Sequence, residues 1–262
     1  MPFIIFSVIV LLPFIWTLYA ALTKNDLDLN SSISKWTKYG LDNFRYILHK
    51  GDILVWFKNS ILVVTIITFL NLVVNTMAGY ALARFNFQGN KPIFMYITGI
   101  MMIPMQVLVI PIFLVVSKLG MVNSYLGLIF PFCFNPFGVF LMRQFFLKFP
   151  REIEEASEID GLGKYGTFIK IVLPLAKTAL LAQAILIFVW NWNSFMLPSI
   201  LVNTPDKFTL PLGIYQITNT QYVTSVSKAM AGATLALIPT IIFYFIFQNR
   251  LISTDIGASI KG

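Results

Sequence analysis

The chain reads as an all-α polytopic membrane protein with six transmembrane helices, and three observations predict that class. Hydrophobic residues make up 57% and charged residues 11% of 262 positions, with a mean hydropathy of +0.78, whereas a soluble domain carries roughly a quarter charged residues. Six uncharged stretches, at 1–23, 61–83, 92–117, 119–142, 178–205 and 229–249, reach the roughly 20 residues a spanning helix needs. None alternates with period two, and only helices or closed barrels satisfy their backbone in lipid, so these runs predict helices. We therefore expect one transmembrane domain over 1–262, interrupted by a polar island at 150–174 that must lie in water.

The first stretch, 1–23, contains Pro13 but no basic n-region and no clear A-x-A cleavage site. It is also too long for a signal-peptide core, so a retained first span is expected. Between it and the second span lies a loop, 24–58, with Trp36, Tyr39, Phe44, Tyr46 and Trp56 among its charges. Those aromatics fit interfacial anchors, and equally a contact surface for an external partner. His49 in this loop has no local Cys or His companion, and Cys133 stands alone between Phe132 and Phe134. Neither a metal site nor a disulfide is expected from them.

The net charge of +8 does not point to nucleic acid. The basic residues flank the spans, where they anchor to headgroups and set orientation. Alternating spans place the loops 84–91, 143–177 and 250–262 on one face, with ten of the 19 Lys and Arg. The opposite short loops hold only Lys118, Lys207 and Lys228, and the 24–58 loop carries Asp26, Asp28, Asp42 and Asp52 beside its basic residues. The expectation is that both termini and the island face the cytoplasm, and that 24–58 lies outside.

The island is the most specific segment. Pro150 precedes an acidic run of Glu152, Glu154, Glu155 and Glu158, suited to a helix N-terminus because carboxylates favour the positive end of the dipole. Gly161 and Gly163 then break that helix, a second short helix can follow from Lys164 to Ile171, and Pro174 opens the next span. The predicted unit is a helix–turn–helix knob. Its spacing is Glu155-Ala156-Ser157, three residues, Gly161, nine residues, then Ile171-x-Leu173-Pro174. This resembles the EAA loop, E-A-(A/S)-x3-G-x9-I-x-L-P, of the membrane permease subunits of bacterial ABC importers. The resemblance implies that the knob docks onto a separate ATPase. Glu155 would then anchor it through hydrogen bonds, Ala156 and Ser157 would allow close approach, and Gly161 would turn the chain. Tyr165 and Phe168 would supply apolar contact, with Ile171, Leu173 and Pro174 closing the motif.

A second pattern within the island, Gly161-Leu162-Gly163-Lys164-Tyr165-Gly166, fits G-x-G-x-x-G. That fingerprint binds dinucleotides only after a strand within a βαβ unit, and this one follows an acidic helical segment. No G-x-x-x-x-G-K-[ST] occurs, so ATP and its Mg²⁺ are expected on a partner chain and no cofactor on this one.

The six stretches contain no Asp, Glu, Lys, Arg or His. Such groups mark proton relays and charged-solute sites, so an ion-coupled carrier is disfavoured. What the stretches offer is amide and aromatic chemistry: Asn71, Asn75, Gln106, Asn135, Gln183, Asn191 and Asn193, with Trp190 and Trp192. These suit a neutral polyhydroxy solute, though amides also join membrane helices to one another. Asn193, Asn191, Asn75, Gln106 and Asn135 are the candidates for a solute path. Asn191 and Asn193 stand about 200° apart on an ideal helix, so both reach one cavity only if the helix is distorted there, and Asn193 is the preferred cavity residue.

The segment Trp190-Asn191-Trp192-Asn193-Ser194-Phe195-Met196-Leu197-Pro198 resembles the W-N-x-F-x-x-P signature of the fifth span in carbohydrate permeases. The ending Gln248-Asn249-Arg250-Leu251…Gly257-Ala258…Lys261-Gly262 is similar to their G-A-x-K-G tail. Together these identify the chain as a member of the maltose or multiple-sugar type of ABC importer permease, the second six-span permease of its pair. The resemblance implies an ABC importer permease fold in a bacterial inner membrane. It also implies a homologous permease partner, two ATP-binding subunits and an extracytoplasmic solute-binding protein, all set in membrane lipid. A permease of the same class for a non-sugar solute is the alternative.

Overall fold

The computed structural model describes residues 2–23, 39–220 and 223–259, with side chains described for 6–23, 39–218 and 225–246. In chain order the elements are α1 (Pro2–Leu22), α2 (Asp42–Lys50), α3 (Ile53–Arg84), α4 (Asn90–Ile100), α5 (Met105–Lys118) and α6 (Tyr125–Ile129). There follow α7 (Pro136–Lys148), α8 (Arg151–Ile159), α9 (Lys164–Thr167), α10 (Leu173–Leu175), α11 (Lys177–Trp192) and α12 (Met196–Leu201). The chain closes with α13 (Leu210–Thr218), a two-residue hairpin β1 (Asn219–Thr220) and β2 (Val223–Thr224), and α14 (Val226–Ser259). The expected all-α class holds. Of the 24–58 loop, residues 24–38 with Trp36 lie outside the described residues, as does the end of the tail, Lys261 and Gly262; the side chains of Gln248 to Ala258 are likewise not described.

Among the described residues, α3 and the segment Val226–Ile246 of α14 are each long and apolar enough to cross a membrane unbroken. At 1.5 Å per residue the 32 residues of α3 extend about 48 Å, beyond the ~30 Å of hydrocarbon. Lys58 and Arg84 sit about 39 Å apart along its axis, so both charges can reach water.

Three further apolar segments are bent pairs of helices rather than straight rods. The stretch 92–117 holds α4 and α5 at 104°. Pro104 starts the second helix from an extended conformation (φ −61°, ψ 136°); it offers no N–H and disfavours helix in the residue before it. The stretch 119–142 begins in a loop where Gly120 (φ 68°) and Asn123 (φ 56°) are left-handed. It continues through α6 and a 3₁₀ turn, Phe130–Phe132, into α7 with a 42° bend. Asn135 sets that bend by capping α7, its Oδ1 accepting from the Gly138 N–H at 3.1 Å, with Pro136 in the first turn. The third pair, Lys164–Leu175 and Lys177–Trp192, is bent by 73°.

Contacts divide the chain into two compact units. One comprises Met1–Leu62 and Asn193–Tyr244. In it α2 is pinned to the end of α1 by Asn43, whose Nδ2 donates to the carbonyls of Ala21 (2.9 Å) and Thr23 (2.8 Å). Trp56, at the start of α3, donates to the Pro205 carbonyl (2.8 Å) and lies so close to Gly213 that a Cβ there would sit 2.1 Å from the indole. Asn59 donates to the carbonyls of Asp206 and Phe208. This segment before α13 is therefore stitched onto the first turns of α3.

The other unit comprises Val63–Trp192 and Phe245–Gly262. Its core is Tyr80, Ala83, Met142, Phe146, Val172, Ala176 and Ala179, with Phe149 and Phe168 packed against it. Gly79 lets α3 and α7 touch, since a Cβ there would come within 2.7 Å of the Met142 Cβ. This core is the floor on which the island rests.

Candidate functional site

The island folds as α8, a turn and α9. Phe149 before Pro150 is extended (φ −72°, ψ 132°) and ends α7, as the clash with a following proline ring dictates. α8 then starts with Glu152 and Glu154 in its first turn. Its end is a Schellman motif: the Gly161 N–H donates to the Glu158 carbonyl and the Leu162 N–H to the Ser157 carbonyl, each at 3.0 Å. Gly161 has φ 85° with no neighbour near a hypothetical Cβ, so backbone conformation rather than crowding selects glycine there. The G-x-G-x-x-G pattern is thus a helix exit followed by a helix entry.

Two side-chain links hold the knob, one joining its two helices and one tying it to α3. The hydroxyls of Ser157 in α8 and Thr167 in α9 lie 2.8 Å apart and both are buried. The second link is ionic. Arg84 Nε donates to Glu154 Oε1 at 2.6 Å, and Arg84 Nη2 to the Phe149 carbonyl at 2.6 Å. Tyr80 OH donates to the other carboxylate oxygen, Oε2, at 2.9 Å.

The anchoring carboxylate is therefore Glu154. Glu155, expected to anchor the knob, is exposed. The correction has a helical cause: adjacent residues lie about 100° apart around the axis, so the face that turns Glu154 to α3 turns Glu155 to solvent. Ala156 is exposed with it, while Ser157 faces inward. Tyr80 and Arg84 were missed because neither belongs to the island. Their signal was available: a tyrosine and an arginine spaced i, i+4 on one helix face at the end of a span.

Past α9 the chain widens into one π turn, Phe168–Val172. The Leu173 N–H reaches back five residues to the Phe168 carbonyl, beside Pro174, which has no N–H and crowds the carbonyl four residues earlier. Phe168 packs on Tyr80 with ring centroids 4.7 Å apart. Ile171 and Leu173 are half-buried and Pro174 is exposed. Ile159 (87% exposed) and Tyr165 (84%) stand out from the knob, an apolar display that nothing among the described residues covers.

The amides of the apolar stretches, among them the five candidates for a solute path, occupy different places. Asn71 and Asn75 are fully buried in α3. Asn71 Nδ2 donates to the Ile67 and Phe132 carbonyls, and Asn75 Nδ2 donates to Asn71 Oδ1. Asn75 Oδ1 accepts the Asn135 N–H at 3.3 Å, so this pair braces the bend before α7. Gly138 makes room: a Cβ there would lie 2.2 Å from Asn75 Nδ2 and 2.6 Å from Gln183 Nε2. Gln183 is buried, and neither polar atom of its side chain has a hydrogen-bond partner among the described residues.

Gln106, in the first turn of α5, is exposed. Asn191 is half-buried and donates to the Ile187 carbonyl of its own helix at 2.8 Å. α11 ends at Trp192, which is buried and stacked on Phe188; Asn193 lies beyond the helix and is exposed. Among the described residues, no group of three or more His, Cys, Asp or Glu could hold a metal ion.

Comparison with known proteins adds four findings. Residues 75–253 match the family described as binding-protein-dependent transport system inner membrane component. The arabinooligosaccharides transport system permease protein AraQ of Halalkalibacterium halodurans is 34% identical over 223 residues, covering 85% of this chain and 80% of the relative. The trehalose/maltose transport system permease protein MalG of Thermococcus litoralis is 28% identical over 263 residues, covering 99% and 94%. In three dimensions the chain superposes with a TM-score of 0.77 and 23% identity on a chain of a bacterial ABC transporter involved in the import of the acidic polysaccharide alginate. That match covers 94% of this chain and 92% of the other.

Proposed function

The chain belongs to the family of binding-protein-dependent transport system inner membrane components, and from that premise we propose that it forms half of the translocation path of an ATP-driven importer for a sugar or oligosaccharide. It pairs with a second, homologous permease. Two ATP-binding subunits carry ATP and Mg²⁺, and an extracytoplasmic binding protein delivers the solute. The knob 150–174 faces the cytoplasm with both termini and docks on an ATPase subunit.

The observation that carries this reading is how the knob is built. Glu154, Ser157 and Thr167 lock it inward while Glu155, Ala156, Ile159 and Tyr165 stand exposed. A locked body with an apolar, acidic display transmits a push, as a loose loop does not. Closure of the ATPase dimer on ATP draws the two knobs together, and the permeases rock from inward-open to outward-open. ATP and the docked binding protein both favour the outward-open state, and that shared preference is what couples the two sites. For the solute, the support is the absence of ionisable residues from the six stretches and the oligosaccharides named for AraQ and MalG.

The test is reconstitution with the cognate partners in proteoliposomes. Uptake of arabino-oligosaccharides, trehalose or maltose should require ATP and binding protein and persist with a protonophore. Uptake of only non-sugar solutes would move the chain to another substrate class, and uptake that needs a proton gradient instead of ATP would refute the mechanism. Orientation is checked by external labelling of Ser31→Cys and Lys164→Cys in a Cys133→Ala background, where only position 31 should react.

A further inference from the structure

We propose that Arg84 is a positioning residue that hands movement of the knob to α3, through a buried clamp on Glu154 completed by Tyr80. The proposal rests on the reading of 150–174 as the ATPase-docking element. The clamp holds the start of α8 at three points. Arg84 takes one carboxylate oxygen of Glu154, Tyr80 takes the other, and the second arm of the guanidinium takes the carbonyl of Phe149, next to the residue that caps the helix. Holding both carboxylate oxygens fixes orientation as well as position. Adding the Phe149 carbonyl ties the chain before α8 to the same group as the first turn of α8.

Burial makes the clamp stiff. The Arg84 and Glu154 side chains are 6% and 15% exposed, so water and salt screen them little. A surface pair gains little from pairing, but separating this one leaves a charge buried and unpaired. The clamp therefore moves as a unit or stays in place.

Tyr80 extends it to the other side of the knob. Its hydroxyl holds Glu154 in α8, while its ring packs on Phe168 in the π turn (4.7 Å) and on Phe146 in α7 (5.2 Å). A push on α8 consequently reaches the end of α3 directly, not only along the chain through the 73° bend into α11. The knob drives two helices at once, one by covalent connection and one by the clamp.

The experiment compares wild type with Arg84→Gln, Tyr80→Phe and the charge exchange Arg84→Glu with Glu154→Arg, each assembled with its cognate partners in proteoliposomes. Complex yield, ATP hydrolysis and solute uptake are read together. Uptake per ATP should fall about tenfold in Arg84→Gln, the scale of an ordinary coupling energy. It should fall less in Tyr80→Phe, which keeps the ring and loses one hydrogen bond, and recover in part in the exchange. Unchanged uptake per ATP in Arg84→Gln, or uptake that tracks yield alone, would overturn the proposal. A second measurement does not depend on transport. Spin labels at Met77 in α3 and Glu158 in α8, both exposed, should show one narrow distance in the wild type and a broadened one in Arg84→Gln. An equally narrow distance in that variant overturns the clamp, whereas absent wild-type uptake with a broadened distance refutes only the functional reading.

Discussion

Two polar regions stand in this apolar chain, and they use polarity in opposite ways. In the cluster of Asn71, Asn75 and Asn135, each described hydrogen bond closes within the protein: to a backbone carbonyl, to the next amide, or from a backbone N–H. Of the polar side chains in the knob, only Glu154, Ser157 and Thr167 are turned inward, and Glu155 and Glu158 face out. The difference follows from the solvent. Hydrocarbon offers an amide nothing, so it must find its partner inside. Water solvates whatever the knob leaves over, which frees side chains there for another protein. Changes in the knob should therefore break communication, and changes in the amide cluster should break assembly.

The largest expected effect tests the first half. Gly161→Pro cannot reach φ 85° and destroys the Schellman turn, so uptake should be abolished while membrane insertion and permease pairing persist. Glu155→Lys reverses an exposed charge and should do the same. Normal transport in either variant, with the cognate ATPase, removes the coupling role.

Gly138→Ala tests the second half. The added Cβ would meet Asn75 and Gln183 at 2.2 Å and 2.6 Å, and relieving such overpacking costs about 1–3 kcal/mol. Complex yield and thermal stability in detergent should fall, with uptake falling only in proportion. A stable complex that fails to transport would place this cluster among the moving or solute-binding parts.

A sharper contrast lies inside the cluster. Asn75→Ala leaves the buried Asn71 Oδ1 and the half-buried Asn135 N–H without their partner and should cost about 1–3 kcal/mol. Gln183→Met replaces a buried amide that has no hydrogen-bond partner among the described residues and should be neutral or stabilising, because an unmade hydrogen bond cannot be lost. Melting temperatures of the two variants in one detergent decide this, and a destabilised Gln183→Met would mean that its amide is satisfied after all.

The smallest effect concerns the end of α11. Asn191 is engaged with its own helix, whereas Asn193 stands beyond it, so Asn193→Ala should lower uptake and binding-protein-stimulated ATP hydrolysis by a few-fold. Asn191→Ala should act, if at all, on complex yield. Equal, wild-type behaviour would return both to helix packing.

The amino-acid sequence by itself determined the membrane class, the helical content, the place of the polar island and the spacing of its motif. Each is a property of neighbouring residues: hydropathy sums over a window, a capping proline or a left-handed glycine acts on its own turn, and Glu155 to Pro174 is a single stretch of chain. Pro104 and Pro136 also encoded the bends in 92–117 and 119–142 locally, but a count of uncharged residues does not weigh a missing N–H. Only the tertiary structure decided which glutamate anchors the knob, because Arg84 and Glu154 meet across 70 residues and two adjacent glutamates look alike until one helix face is packed. It likewise decided that Asn75 braces the turn at Asn135, 60 residues away. A pairing between distant residues depends on where the backbone brings them, and that is settled by packing, here by Gly79 and Gly138 allowing helices to touch.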